Sequence, residues 1–227
     1  MIITIDGFIA TGKSSIAKML AKEIGYIYFD TGSMFRALTY ALLHQNIQLD
    51  DEEQLAQFLN QCDLDIKIKL GSRFYYVQGE DITPMLRLPE VTATVSRVAA
   101  LAPVRYKLLV WQRELAKGVN SIFEGRDMGS TVFPDADLKI FLTGRLEVRA
   151  RRRYEELKSN YPDHFANLTF EECMEQIKAR DESDMNRELS PLKKADDAYE
   201  IDTSDLSLEE IIEAILDLRS AKKMNQT

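Results

Sequence analysis

Gly7, Gly12, Lys13 and Ser14 follow the spacing Gly-x4-Gly-Lys-Ser within Gly7-Phe8-Ile9-Ala10-Thr11-Gly12-Lys13-Ser14-Ser15. Glycines at these positions let the backbone turn so that successive N–H groups face one centre, where they bind phosphate oxygens. The amino end of a following helix adds positive potential. The lysine reaches the β- and γ-phosphates, and the serine hydroxyl coordinates Mg2+. The motif lies between "MIITID", a short apolar β-branched run, and "KSSIAKMLAKEI", where Ile16, Met19, Leu20 and Ile24 recur at helical spacing before a stop at Gly25. Strand, loop, helix is the context the motif requires, so the sequence predicts a nucleoside triphosphate site. No Asn-Lys-x-Asp guanine-reading motif accompanies it.

The remaining residues suited to phosphate chemistry are arginines. Arg36 lies in "FDTGSMFR", Arg105 in "SRVAALAPVR", Arg126 beside Asp127 in "EGRDMG", and Arg149, Arg152 and Arg153 in "RARRRYEEL". Arg180 and Arg187 bracket the first part of "RDESDMNRELSPLKKADDA", residues 180–198, a stretch dense in charge and broken by Pro191. A transferring phosphoryl group spreads charge over three oxygens, which fixed guanidinium forks stabilise well. A polar loop of this length reads as a mobile functional segment rather than a connector.

The elements that must position these groups alternate. "MIITIDG", "YIYFDTG", "SIFEG", "LKIFL" and "AYEID" read as five buried strands, and "SMFRALTYALLHQ" and "SLEEIIEAILDLR" as helices. The pattern predicts an α/β fold on a central parallel sheet. "LDIKIKLGSRFYYV" interrupts it. Leu64, Ile66, Ile68 and Leu70 alternate with polar residues up to Gly71-Ser72, predicting an inserted antiparallel hairpin with one wet face. Net charge is −8, against generic nucleic-acid binding, and no apolar run is long enough to span a membrane. Cys62, Cys173, His44 and His164 show no ligating spacing.

Taken together, "ITIDG…GKSS", "FDTGSMFR", "EVTATVSRVAALAPVR", "EGRDMGSTVFPDADLKIFL" and "RDESDMNRELSPLKKADDA" resemble the bacterial cytidylate kinase family, in the nucleoside monophosphate kinase group. The resemblance covers nearly the whole chain and is most specific in the "EGRDMG" block. It implies a P-loop three-layer fold with a five-stranded parallel sheet, an inserted antiparallel β lobe for the monophosphate and a helical lid. The expected divisions are a core of 1–33, 101–145 and 196–227, a lobe of 34–100 and a lid of 146–195.

The resemblance also implies roles. Gly7 to Ser15 would hold ATP, with Ser14 on Mg2+. Thr31, Ser96, Arg105 and Asp127 would face cytosine, with Asp30 orienting its neighbours. Arg36, Arg126 and Arg187 would clamp the CMP phosphate, and Arg180 and Asp184 would lie near the ribose and the transferring group. Lys13, Arg152, Arg180 and Arg187 would be catalytic. The implied enzyme uses ATP with Mg2+, accepts CMP and dCMP, and is a cytoplasmic monomer. The competing readings are another small-molecule P-loop kinase, for UMP, shikimate or dephospho-coenzyme A, and a non-catalytic nucleotide-binding protein. Three departures stand out: Phe8-Ile9-Ala10 for the more usual Pro-Ser-Gly, Ser183 and Met185 where lids carry further arginine, and Glu124 for Asp.

Overall fold

The computed structural model describes residues 1–69 and 72–224. The chain divides into two units, Met1–Phe29 with Ala116–Thr227, and Asp30–Leu115.

The first unit is built on the buried β-branched runs. β1 (Ile2–Gly7) leads through the glycine loop into α1 (Lys13–Ile24), and Gly25 closes that helix in the left-handed conformation at φ 70. β2 (Ile27–Asp30) follows and continues into the second unit. The second unit is helical around a small sheet. α2 (Thr31–His44) and α3 (Glu52–Gln61) precede β3 (Leu64–Lys69), β4 (Ser72–Val77) and β5 (Glu80–Asp81), and α4 (Pro89–Ala100) and α5 (Ala102–Leu115) complete it. The chain then returns through β6 (Ser121–Glu124), β7 (Leu138–Thr143), α6 (Leu146–Asn160), α7 (Phe170–Asn186), β8 (Tyr199–Asp202) and α8 (Leu208–Met224).

The expected α/β architecture is present. The large sheet runs β2-β6-β1-β7-β8. β1 pairs in parallel with β6, Ile3 opposite Ile122, and with β7, Ile3 opposite Leu138. Parallel pairing sends the carboxyl ends of β6, β1 and β7 to one edge, so the glycine loop emerges between the segments that follow its two neighbours. Ile3, Ile5, Ile140 and Leu142 pack with Ile16 and Leu20 of α1 and Ile211 and Ile215 of α8 into one core. The antiparallel lobe is the sheet β3-β4-β5, with Leu64 opposite Val77 and Ile66 opposite Tyr75. Tyr75 and Val77 are buried, whereas Ile68 nearer the tip is 45% exposed. The turn expected at Gly71-Ser72 lies partly outside the described residues, at Leu70 and Gly71.

One expectation is corrected. Residues 180–198 do not form a loop throughout, because α7 continues to Asn186. The segment "RDESDMN" holds no Gly or Pro, and its Asp181 and Asp184, three apart, continue the buried face begun by Cys173 and Ile177. α7 starts at a capping box in which Thr169 and Glu172 exchange side-chain and backbone bonds.

Candidate active site

The glycine loop has two positions that demand glycine. Gly7 sits at φ +147, and a Cβ added there would lie 2.1 Å from the Leu142 carbonyl oxygen. Gly12 begins α1 at φ +87, left-handed. Ala10 is also left-handed, at φ 60, a conformation that costs an L-residue roughly 1–2 kcal/mol. The Phe8 N–H donates to the Leu142 carbonyl at 3.4 Å, and the Thr11 hydroxyl to the Phe8 carbonyl at 3.0 Å. The Lys13 ammonium, buried at 6% exposure, donates to the Phe8 carbonyl and to Thr11 Oγ1 at 3.4 Å. Burial and the nearby Arg126 cation lower its pKa to about 7, against the pull of Glu124, Asp181 and Asp184. Ser14 and Ser15 are exposed on the first turn of α1.

Asp6, at the end of β1, escaped the sequence reading. Its carboxylate accepts the Met128 N–H at 2.9 Å and the Gly129 N–H at 2.7 Å. It thereby ties the strand entering the glycine loop to the segment leaving Arg126-Asp127. A lone acid ending an apolar strand was the available signal, because a buried carboxylate must find partners. Burial raises the Asp6 pKa to about 7, in spite of those two N–H groups. Between the unfolded value of roughly 3.9 and that folded value, the folded chain keeps a proton that the unfolded chain has lost. The contribution of Asp6 to stability therefore falls as pH rises through this window. Urea unfolding at pH 5 and pH 8 should show Asp6→Asn gaining on the wild type at the higher pH. A difference that stays constant with pH would contradict this titration.

Beyond β6, Arg126 donates from Nε to Asp184 at 2.8 Å, and Arg187 NH1 lies 3.7 Å from the other oxygen of the same carboxylate. Arg180 Nε is 3.5 Å from Asp184. Arg187 NH2 also lies 3.5 Å from Asp127, which is 2% exposed, and its Nε donates to the Ser190 carbonyl at 2.6 Å. Burial alone would raise the Asp184 pKa, but Arg126, Arg180 and Arg187 together hold it below the usual carboxylate value. Five of the sequence-predicted residues thus meet: Arg126, Asp127, Arg180, Asp184 and Arg187. Arg152 is turned elsewhere, donating to the Thr203 hydroxyl at 3.1 Å and carbonyl at 2.6 Å. Ser183 and Met185 are exposed on α7. Glu124 accepts the Tyr28 hydroxyl at 2.7 Å.

Arg149, not assigned a role from sequence, is buried at 6% exposure. It pairs with Asp181 at 2.5 Å and donates to the carbonyls of Gly144 at 2.8 Å and Ile9 at 3.0 Å.

The second unit holds the other predicted residues. Asp30 caps α2, accepting the Ser33 N–H at 2.9 Å and the Ser33 hydroxyl at 2.6 Å. Thr31 is buried at the start of α2. Arg36 donates to Thr92 Oγ1 at 2.8 Å and to the Leu86 carbonyl at 3.3 Å. Arg105, 9% exposed, donates to the Ala99 carbonyl at 2.9 Å and lies over Phe35 at 5.4 Å. Ser96 is half-buried on α4. Cys62 and Cys173 are buried and unpaired.

Comparison with known proteins adds a family to this geometry. The family profile described as Cytidylate kinase matches residues 3–221. A cytidylate kinase of Protochlamydia amoebophila is 53% identical over 223 residues, 98% of either chain. A cytidylate kinase of Caldicellulosiruptor bescii is 43% identical over 216 residues, 95% of this chain and 94% of its own. One from Geobacillus is 43% identical over 217 residues, 95% of each.

Proposed function

Because the chain belongs to the cytidylate kinase family, we propose that it transfers the γ-phosphoryl group of ATP to CMP and dCMP, reversibly, giving CDP and dCDP. The observation that carries the reading is Asp184, one buried carboxylate holding Arg126, Arg180 and Arg187 in the unit that contains the glycine loop. The acceptor is already a phosphate oxyanion, so no general base is needed. Catalysis rests on in-line positioning and neutralisation of charge on the transferring group. Lys13 serves the triphosphate, and Arg180 and Arg187 the transferring group. Arg152 joins them from residues 146–195, which act as a lid and must first release Thr203. By the family resemblance, Arg36, Arg126 and Arg187 serve the CMP phosphate, and Thr31, Ser96, Arg105 and Asp127 the base.

Among the described residues no group of three or more acidic, His or Cys side chains could hold a metal ion, while the Ser14 hydroxyl is exposed beside Lys13. That donor set suits Mg2+ held mainly by phosphates and water. When bound with the triphosphate, Mg2+ neutralises charge on the phosphate oxygens. The reading extends to a cytoplasmic monomer with small nucleotides as its partners. Among the described residues no helix is long and apolar enough to cross a membrane.

A coupled ADP-release assay across CMP, dCMP, UMP and AMP tests the proposal. CMP and dCMP should exceed the others in kcat/KM by at least about ten-fold, the scale of one net hydrogen bond. Preference for UMP or AMP, or no turnover at all, would refute it. Asp127→Ala should then cut the preference for CMP over UMP by roughly 10–100-fold with little change in KM for ATP. A carboxylate accepts the exocyclic amine of cytosine and repels the carbonyl that uracil presents there. Equal losses for CMP and UMP would remove Asp127 from base reading.

A further inference from the structure

The peptide units at the entrance of the glycine loop are gripped from outside it. The Ile9 N–H donates to Asp181 Oδ1 at 3.0 Å, and the Ile9 carbonyl accepts from Arg149 at 3.0 Å. Asp181 and Arg149 close the triangle at 2.5 Å, with side chains only 6% and 8% exposed. The Arg149 guanidinium also lies over the Phe8 ring at 5.2 Å and bonds the Gly144 carbonyl. Ile9 and Ala10 pack against the apolar cluster of Ala150, Leu157, Cys173 and Ile177, where α6 meets α7. The next residue in this held stretch is Ala10, in the left-handed conformation at φ 60. A strained alanine persists only where its surroundings over-determine it, and this clamp together with the apolar packing does so.

We propose that Asp181 and Arg149 are positioning residues that hold the first half of the phosphate loop in its ATP-gripping shape. The pair compensates for an alanine at position 10. The proposal rests on the reading of the chain as an ATP-dependent kinase. Both Asp181 oxygens are committed, one to the loop and one to Arg149. The pair is therefore neutral as a unit and does not act as a free anion competing with phosphate. Each Arg149 partner belongs to a different segment: Gly144 after β7, Ile9 in the loop and Asp181 on α7. One guanidinium thus fixes the loop against two other elements.

The test measures equilibrium binding of ATP with Mg2+, and separately of CMP, to the full chain. The variants are Asp181→Asn and Arg149→Lys, each also combined with Ala10→Gly. Asp181→Asn is expected to weaken ATP about ten-fold, one charge-assisted bond's worth, while CMP stays within about two-fold of wild type. Arg149→Lys, which keeps charge but loses the fork, should fall between. In the Ala10→Gly background the ATP loss should shrink to about three-fold, because glycine enters the left-handed region without the clamp. A residue that only stabilises the fold would weaken both ligands alike, whatever stood at position 10. That outcome overturns the proposal, as does unchanged ATP binding. Tighter ATP binding in Asp181→Asn would instead identify the carboxylate as a competing anion, and equally overturns it. If the variants do not fold, hydrogen exchange on the wild type decides. The Ile9 amide should be protected before ATP is added, and free exchange there sinks the clamp. Wild-type turnover of CMP, measured alongside, keeps this result separate from the kinase reading: an inactive wild type that binds ATP defeats only the latter.

Discussion

Lys13→Met is expected to lower turnover with CMP by about 10³-fold, the upper range for losing one preorganised charge donor in a site, while leaving the fold intact. The side chain is buried at 6% exposure, and its ammonium is held on the Phe8 carbonyl and Thr11 of its own loop. Burial and Arg126 both work against its charge, which is why its pKa falls to about 7. A buried cation held against its own titration contributes little to folding, and an apolar isostere of similar length removes that cost. Lys13→Met should therefore melt at or above the wild-type temperature. Chemistry and stability then move in opposite directions, which separates a catalytic lysine from a structural one. Steady-state kinetics and a thermal melt check the two halves together. Retention of more than a tenth of wild-type turnover would show that Lys13 does not serve the triphosphate.

The glycine loop was legible because its signals are local. Gly7 and Gly12 mark backbone positions that other residues cannot occupy without clash or strain, and the strand and helix beside them show their periods within a dozen residues. Four of the five strands were legible for the same reason, as short runs that are wholly or partly buried, whereas β8 at the sheet edge is mostly exposed, with Tyr199 at 40%, and showed as a strand without being a buried one. α7 was not legible in full, because its last two turns bury charge rather than apolar surface. Asp181 and Asp184 look like a solvated face until Arg149 and Arg126, from distant parts of the chain, and Arg187, three residues on, neutralise them. Cys173, Ile177, Asp181 and Asp184 share one helical face, so the period was present but written partly in carboxylates. Arg149 was hidden among its neighbours in "RARRR". Only three dimensions separate it, buried on Asp181, from Arg153, which pairs with Glu156 near the surface. The odd tripeptide Phe8-Ile9-Ala10 likewise acquires a reason only through what packs on it: Arg149 over the Phe8 ring, and the α6–α7 cluster beneath Ile9 and Ala10.

Asp184→Asn should be the second most damaging change, because one carboxylate serves three guanidinium groups. Asparagine keeps the shape but leaves Arg126, Arg180 and Arg187 close together without their shared counter-charge. Breaking a buried pair by removing one partner costs about 3–5 kcal/mol. Discounted for Arg126 and Arg180, whose side chains are 20% and 26% exposed, a loss of about 2–3 kcal/mol is expected. That corresponds to roughly 4–12 °C in Tm for a chain of this size. Turnover should fall by about 10²-fold, since the arginines would no longer be fixed where charge develops. The pH dependence identifies the cause. The arginines hold the Asp184 pKa below its ordinary value against the effect of burial, so its stabilisation is fully present above the unfolded pKa of roughly 3.9 and is lost as pH falls through the depressed folded value. The stability gap between wild type and Asp184→Asn should be widest at neutral pH and narrow in acid. A gap of the same size at pH 7 and pH 3 would mean that packing, not charge, is what Asp184 supplies. Arg126 and Arg187 would then have to be ordered by their remaining partners: Gly125 for Arg126, and Ser190 and Asp127 for Arg187.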